Sequence, residues 1–223
     1  MANEQNVEDY LVILISAEFH KKNYLILEGK THDSYSYPDL YVAKQLSHHG
    51  KNWYQSHEAL NHKWMSMLTL RQFVDFLTLL KSGRAFDGKG QKVPKSELEA
   101  ILQEITEQRG PWRAEWLDAD FKAINKVLRI NYEHHYINGK LQPQRSEPLR
   151  SCLLEDKLPG IDLNDYLKRA TVQGLPPADV KSGSLYYWSP SNDLVAGFRA
   201  DVDGADFFCS GGPRSSFTHL GVR

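Results

Sequence analysis

The apolar residues of this chain change their spacing partway along, and that change limits the folds open to it. In the first half they fall three and four residues apart. Leu70, Phe73, Val74, Leu77 and Leu80 make one side of a helix that Thr69 caps and Gly83 stops. Ser96 and Glu99 form a capping box ahead of Leu98, Ile101, Leu102 and Ile105, and Gly110-Pro111 closes that helix. Pro38 predicts a further helix through "PDLYVAKQLSHHG" to Gly50, and residues 10–15 and 24–27 read as short strands. From Val127 the period drops to two. Val127, Arg129 and Asn131 alternate with Leu128, Ile130 and Tyr132 ahead of an Asn138-Gly139 turn, which predicts a β-hairpin. A short helix capped by Asp162 follows, then a strand in "GSLYYWS" that Pro190 breaks. Helices first and short strands after argue for an α+β fold in a single domain, residues 1–223.

The composition excludes several classes. Net charge is −1 over 223 residues, so no chain-wide field draws nucleic acid or an anionic membrane. The first residues lack the basic start and long apolar run of a signal peptide, and no stretch has the length of a membrane span. The expectation is a monomer without membrane insertion, cytoplasmic unless exported by another route or displayed on a virion. Cys152 and Cys209 read as buried free thiols.

Chemistry-bearing motifs are sparse. His57-Glu58 with His62 resembles a zinc helix, but the two histidines stand five apart, where one helix face needs four. His48-His49 and His134-His135 are adjacent pairs whose members point apart. "GPWRAEWLDADF" gathers Glu115, Asp118 and Asp120, which with a nearby histidine could do acid–base work. The simpler reading is a helical face on which Trp112 and Trp116 pack together, with the charges solvated or bracing a loop. "DVDGAD" sets Asp201, Asp203 and Asp206 around Gly204 without the spacing or flanking helices of an EF-hand. No nucleophile elbow, phosphate loop, dinucleotide fingerprint or CxxC occurs. These readings favour a protein that is not an enzyme, with no cofactor and no metal.

The C-terminal stretch is different again. Phe198, Ala200, Ala205, Phe207 and Cys209 alternate with Arg199, Asp201, Asp206, Phe208 and Ser210. That is two strands with the first set inward, joined at Asp203-Gly204, and Phe208 and Phe217 exposed. Exposed aromatics among Gly, Ser and Arg compose a binding surface; the equal alternative is that both Phe tuck under loops. Beyond Trp188 there is no Lys, Glu, Gln, Met or Trp, although these five make up a quarter of the residues up to that point. They are the amino acids that no codon ending in a pyrimidine encodes. Randomising the first two bases of Asn-type codons leaves such a gap and never creates a stop.

That ending, together with "DLYVAKQLSHHGKNWYQSHEAL", "MLTLRQFVDFLTLLKSG", "PWRAEWLDADF" and "EPLRSCLLEDKLPGIDLNDYLKRATVQGLPP", resembles the variable proteins of diversity-generating retroelements, in particular those of nanoarchaea and related archaea. The resemblance covers most of the chain from Asp39 onward. It implies a C-type lectin fold of the formylglycine-generating-enzyme kind, with a ligand-binding region at residues 189–219 rewritten by adenine-directed mutagenesis. It implies a framework of Val195, Ala196, Phe198, Ala200, Asp203, Ala205, Cys209, Pro213 and Leu220 to Arg223. The variable, ligand-binding positions it implies are Asn192, Asp193, Gly197, Arg199, Asp201, Val202, Gly204, Asp206, Phe208, Ser210, Gly211, Gly212, Arg214, Ser215 and Phe217. Gly197, Gly204 and Gly211 stand where the family leads one to expect Arg. The implied partner is a protein or cell-surface ligand. The alternative is a calcium-dependent or carbohydrate-binding lectin of fixed specificity.

Overall fold

The computed structural model describes residues 21–223; the strand expected at 10–15 lies outside them. Twelve strands and four helices make an α+β arrangement within the described residues, with four short strands ahead of three consecutive helices. The first four strands are short: β1 (Tyr24–Leu27), β2 (Lys30–His32), β3 (Tyr35–Tyr37) and β4 (Leu40–Ala43). β4 overturns the helix expected after Pro38. Tyr41 is exposed and Val42 buried, and this alternation suits pairing with β1.

Helix α1 (Trp53–Asn61) was not foreseen, though its capping box is complete: Asn52 accepts from the Gln55 amide, and Gln55 answers the Asn52 amide. Helix α2 (Leu70–Ser82) has the expected Thr69 cap and a left-handed Gly83 at its end. Helix α3 (Lys95–Thr106) begins one residue before Ser96, with Pro94 at the N-cap and no side-chain cap, so the expected Ser96–Glu99 box does not form. Proline's fixed φ already sets the first turn there.

The large sheet runs β7 (Lys140–Pro148), β6 (Val127–Ile137), β5 (Arg113–Ile124), β10 (Leu194–Ala200), β11 (Ala205–Gly211), β9 (Leu185–Trp188) and β8 (Lys157–Ile161), with β12 (Leu220–Gly221) alongside β5. Its hairpin of β6 (Val127–Ile137) and β7 (Lys140–Pro148) turns at Asn138-Gly139, as expected. β5 (Arg113–Ile124) corrects the "PWRAEWLDADF" reading: this is a strand, and Arg113, Glu115 and Asp118 are buried rather than solvated. Beyond it come β8 (Lys157–Ile161), the Asp162-capped helix α4 (Leu163–Arg169) and β9 (Leu185–Trp188). β10 (Leu194–Ala200) and β11 (Ala205–Gly211) form the C-terminal hairpin.

Two apolar clusters flank the sheet. On one side Phe198 and Phe207 pack against Phe73 of α2 and Tyr166 of α4, with ring centroids 5.5 and 5.6 Å apart. Phe198, Ala200, Ala205, Phe207 and Cys209 are all buried here, so the inward phase of the C-terminal strands holds. On the other side Trp53, Leu60, Trp116, Val195, Leu220 and Val222 form a smaller cluster beneath α1. Cys152 and Cys209 are free and buried. No helix among the described residues is long and apolar enough to cross a membrane.

Candidate binding face and a buried histidine cluster

Strand register builds a row of side chains across four strands. Trp116 of β5 stands opposite Gly197 of β10, Gly197 opposite Phe208 of β11, and Phe208 opposite Trp188 of β9. Partners in such a row project from one face of the sheet. The central glycine leaves a gap into which Phe208 leans, with its ring meeting Trp116 edge-on at 6.0 Å. The next row holds Ala114, Arg199, Asp206 and Tyr186. Loops 201–204 and 212–219 close the ends. The result is a cavity of about 560 Å³ with aromatic walls from Trp112, Trp116, Trp188, Phe208 and Phe217. That size and lining suit a ligand side chain or small ligand.

Most of the positions singled out in the sequence meet here. Arg199, Asp201, Val202, Asp206, Phe208, Ser210, Gly211, Gly212, Ser215 and Phe217 line this one cavity. Phe217 is 55% exposed and meets Trp112 edge-on at 5.7 Å. Phe208 is half-buried, not exposed as expected, because it rests on the Trp116 cluster.

Five positions do not reach the cavity. Asn192 accepts from the Ala123 amide at 2.6 Å and donates to Asp193, in a turn elsewhere on the molecule. Arg214 lies outside the lining, and Gly204 holds the β10–β11 turn at φ 137°. Gly197 is a correction: it is buried. A Cβ there would meet the Phe208 ring at 2.4 Å and the Glu115 carbonyl at 2.7 Å, so the backbone itself demands glycine.

The acidic loop is already neutralised in part. Arg199 donates to Asp206 at 2.6 Å and lies 3.3 Å from Asp201, while the Asp203 amide donates to Asp201. Burial raises the Asp206 carboxyl above its ordinary range despite the Arg199 partner. A guanidinium between these carboxylates occupies the place a calcium ion would need.

Behind the face lies a second group that the sequence had scattered. β5 departs from β10 between Trp116 and Asp120, and the Asp118 amide instead donates to the Leu68 carbonyl at 2.8 Å. On β6, Glu133 takes a left-handed φ of 56°, a rare conformation for a non-glycine residue. These two irregularities turn Asp118 and His134 toward each other and toward His57 of α1. The His134 amide donates to Asp118 Oδ2 at 3.0 Å, its Nδ1 meets Asp118 Oδ1, and its Nε2 meets Asp120 Oδ1 at 3.0 Å. His57 Nε2 lies 3.5 Å from Asp118 Oδ1 but has no hydrogen-bond partner. Burial holds His57 down to about 4. Burial also opposes the His134 imidazolium, yet the hydrogen bonds and charges of Asp118 and Asp120 outweigh it and raise that group to about 9. Trp53 packs edge-on against both rings.

Glu115 points to the opposite face from Asp118 and joins no such group. Arg113 donates to it at 2.8 Å and Arg223 at 3.3 Å. Of the three carboxylates of "WRAEWLDAD", Asp118 and Asp120 therefore meet a histidine, His134, while Glu115 stands apart from them. Trp112, Trp116 and Trp188 were missed as lining residues, because only the sheet order carries them to the C-terminal strands. Neither a protein-family model, nor a curated protein, nor a solved structure matches the chain.

Proposed function

We propose that the chain is a binding protein without catalytic activity, built on a C-type lectin fold of the formylglycine-generating-enzyme kind. Residues 189–219 present side chains that a retroelement diversifies by adenine-directed mutagenesis. The recognised ligand is a protein or cell-surface group. The observation that carries this reading is the convergence of ten sequence-selected positions on one cavity, while Phe198, Ala200, Ala205, Phe207 and Cys209 are buried behind it. A rigid sheet held from the rear lets side chains on its front change without disturbing the core. Phe217 is the exposed aromatic anchor, Trp112 and Trp188 give the wall its constant apolar part, and Ser210 and Ser215 supply adaptable polar contacts.

The test is to sequence the 3′ end of the gene, with its flanking DNA, from many cells of the source population. Differences confined to codons 189–219, explicable by adenine changes in a nearby near-copy beside a reverse-transcriptase gene, are the expected result. An invariant segment with no near-copy overturns the diversification.

A further inference from the structure

We propose that His57, Asp118 and His134 form a site for one divalent transition-metal ion of the zinc class, which pins α1 to β5 and β6 behind the binding face. The ligand atoms of these three buried residues lie within 4.8 Å of one another. A tetrahedral ion with bonds of about 2.0–2.2 Å holds its ligand atoms a little over 3 Å apart, so small side-chain rotations complete the set.

Three details point the same way. The His57 side chain is 4% exposed, and its Nε2 has no partner while facing Asp118 across 3.5 Å. A buried polar nitrogen left unbonded is uncommon and calls for an explanation. Asp118 is divided between two tasks: Oδ2 accepts the His134 backbone amide, which leaves Oδ1 between the two imidazoles. Asp120 takes the far nitrogen of His134, and a carboxylate on the distal N–H is the usual means of aiming the other nitrogen at a metal. Asp120 is here a positioning residue, not a ligand.

Charge and ligand type select the ion. Asp118 and Asp120 carry two negative charges, and Lys122, 3.7 Å from Asp120, is mostly exposed. A dication would balance the pair and release the Nδ1 proton of His134 to solvent. Two imidazoles with one carboxylate suit zinc, cobalt or nickel rather than magnesium or calcium. The ion would join elements far apart in sequence. From the same helix, the Trp53 amide donates to Pro213 at 3.1 Å and its indole to the Leu117 carbonyl at 2.9 Å. The site therefore steadies the loop that closes the cavity.

The test uses the full chain, stripped with a chelator and titrated with Co(II). One equivalent should give visible d–d absorption that Zn(II) abolishes. A hundredfold excess over Kd should raise Tm by about 5–10 °C. His57→Gln, folded by circular dichroism, should weaken binding at least tenfold, and His62→Ala should leave it unchanged. No stoichiometric spectrum, equal binding by folded His57→Gln, or loss in His62→Ala would overturn the proposal. Should His57→Gln fail to fold, zinc titration of the wild-type chain followed by NMR decides. Perturbation of two of the nine imidazole ring signals upholds the site, and any other number refutes it.

Discussion

At the scale of the residue, Phe208 is where the cavity lining and the apolar cluster overlap. Its ring lies over Gly197 and Gly211. A Cβ on Gly211 would meet the ring at 2.7 Å and Trp116 Cζ3 at 3.0 Å, both side-chain atoms. Phe208→Ala should cost about 1–2 kcal/mol, less than the ~3–5 of a fully buried phenylalanine. Gly211→Ala should destabilise the wild-type chain and become nearly neutral in the Phe208→Ala background, which a double-mutant cycle of denaturant unfolding measures. Gly197→Ala should stay destabilising in both backgrounds, because the Glu115 carbonyl remains 2.7 Å away. Phe217→Ala, which loses little more than an edge contact with Trp112, should change stability by less than about 0.5 kcal/mol. Equal losses for Phe208→Ala and Phe217→Ala would show that both rings belong to the core.

At the scale of the element, stability is tied to buried carboxylates that bridge segments distant in sequence. Asp75 of α2 accepts from Tyr37 at 2.6 Å, from Arg71 at 3.0 Å and from Lys30 at 3.1 Å, which clips the β2–β3 hairpin onto the helix. Glu115 links β5 to Arg223. Burial opposes the charge on both, but hydrogen bonds and cationic neighbours outweigh it, so both carboxyls titrate below their ordinary range. A lowered folded-state pKa means stability that is complete above the unfolded value and lost as protons bind the unfolded chain. These two carboxyls therefore add no slope near neutrality and make unfolding free energy fall as pH drops below about 4, whereas His57, held at about 4, costs stability as pH falls from about 6.5, and His134, raised to about 9, costs it as pH climbs from about 6.5. Asp75→Asn and Glu115→Gln should each lower stability at pH 7 by a few kcal/mol and flatten that acid slope. An unchanged slope would remove both groups as its source.

The same elements show what the sequence could disclose. α2 was legible because its period, its Thr69 cap and its Gly83 stop agree. β5 was not, because both of its faces are buried and its charges find partners from elsewhere. Arg113, Glu115 and Asp118 look solvated until Arg223, His57 and His134 arrive from up to 108 residues away. Adjacent histidines at 134 and 135 point apart, as expected, yet His134 meets groups that no local spacing reveals. The inward and outward phase of β10 and β11 was legible from alternation, whereas the tryptophan walls depend on sheet order.

At the scale of the whole molecule, the separation of a buried rear from a replaceable front makes a claim about tolerance. Phe198 and Phe207 are within 1% of complete burial and join α2 and α4 to the sheet. Either one changed to Ala should cost about 3–5 kcal/mol. Val202, Ser210, Ser215 and Phe217 line the front cavity, with Val202 62% exposed and space of about 560 Å³ before them. A chain carrying Val202→Thr, Ser210→Tyr, Ser215→Asn and Phe217→Ser together should keep its circular dichroism spectrum and lose no more than about 4 °C in Tm. Four changes outweighed by one buried phenylalanine is the behaviour required of a scaffold that survives repeated rewriting of its face. If the fourfold variant instead melts with the Phe207→Ala chain, the front is part of the core, and the proposed diversification there would destroy the fold.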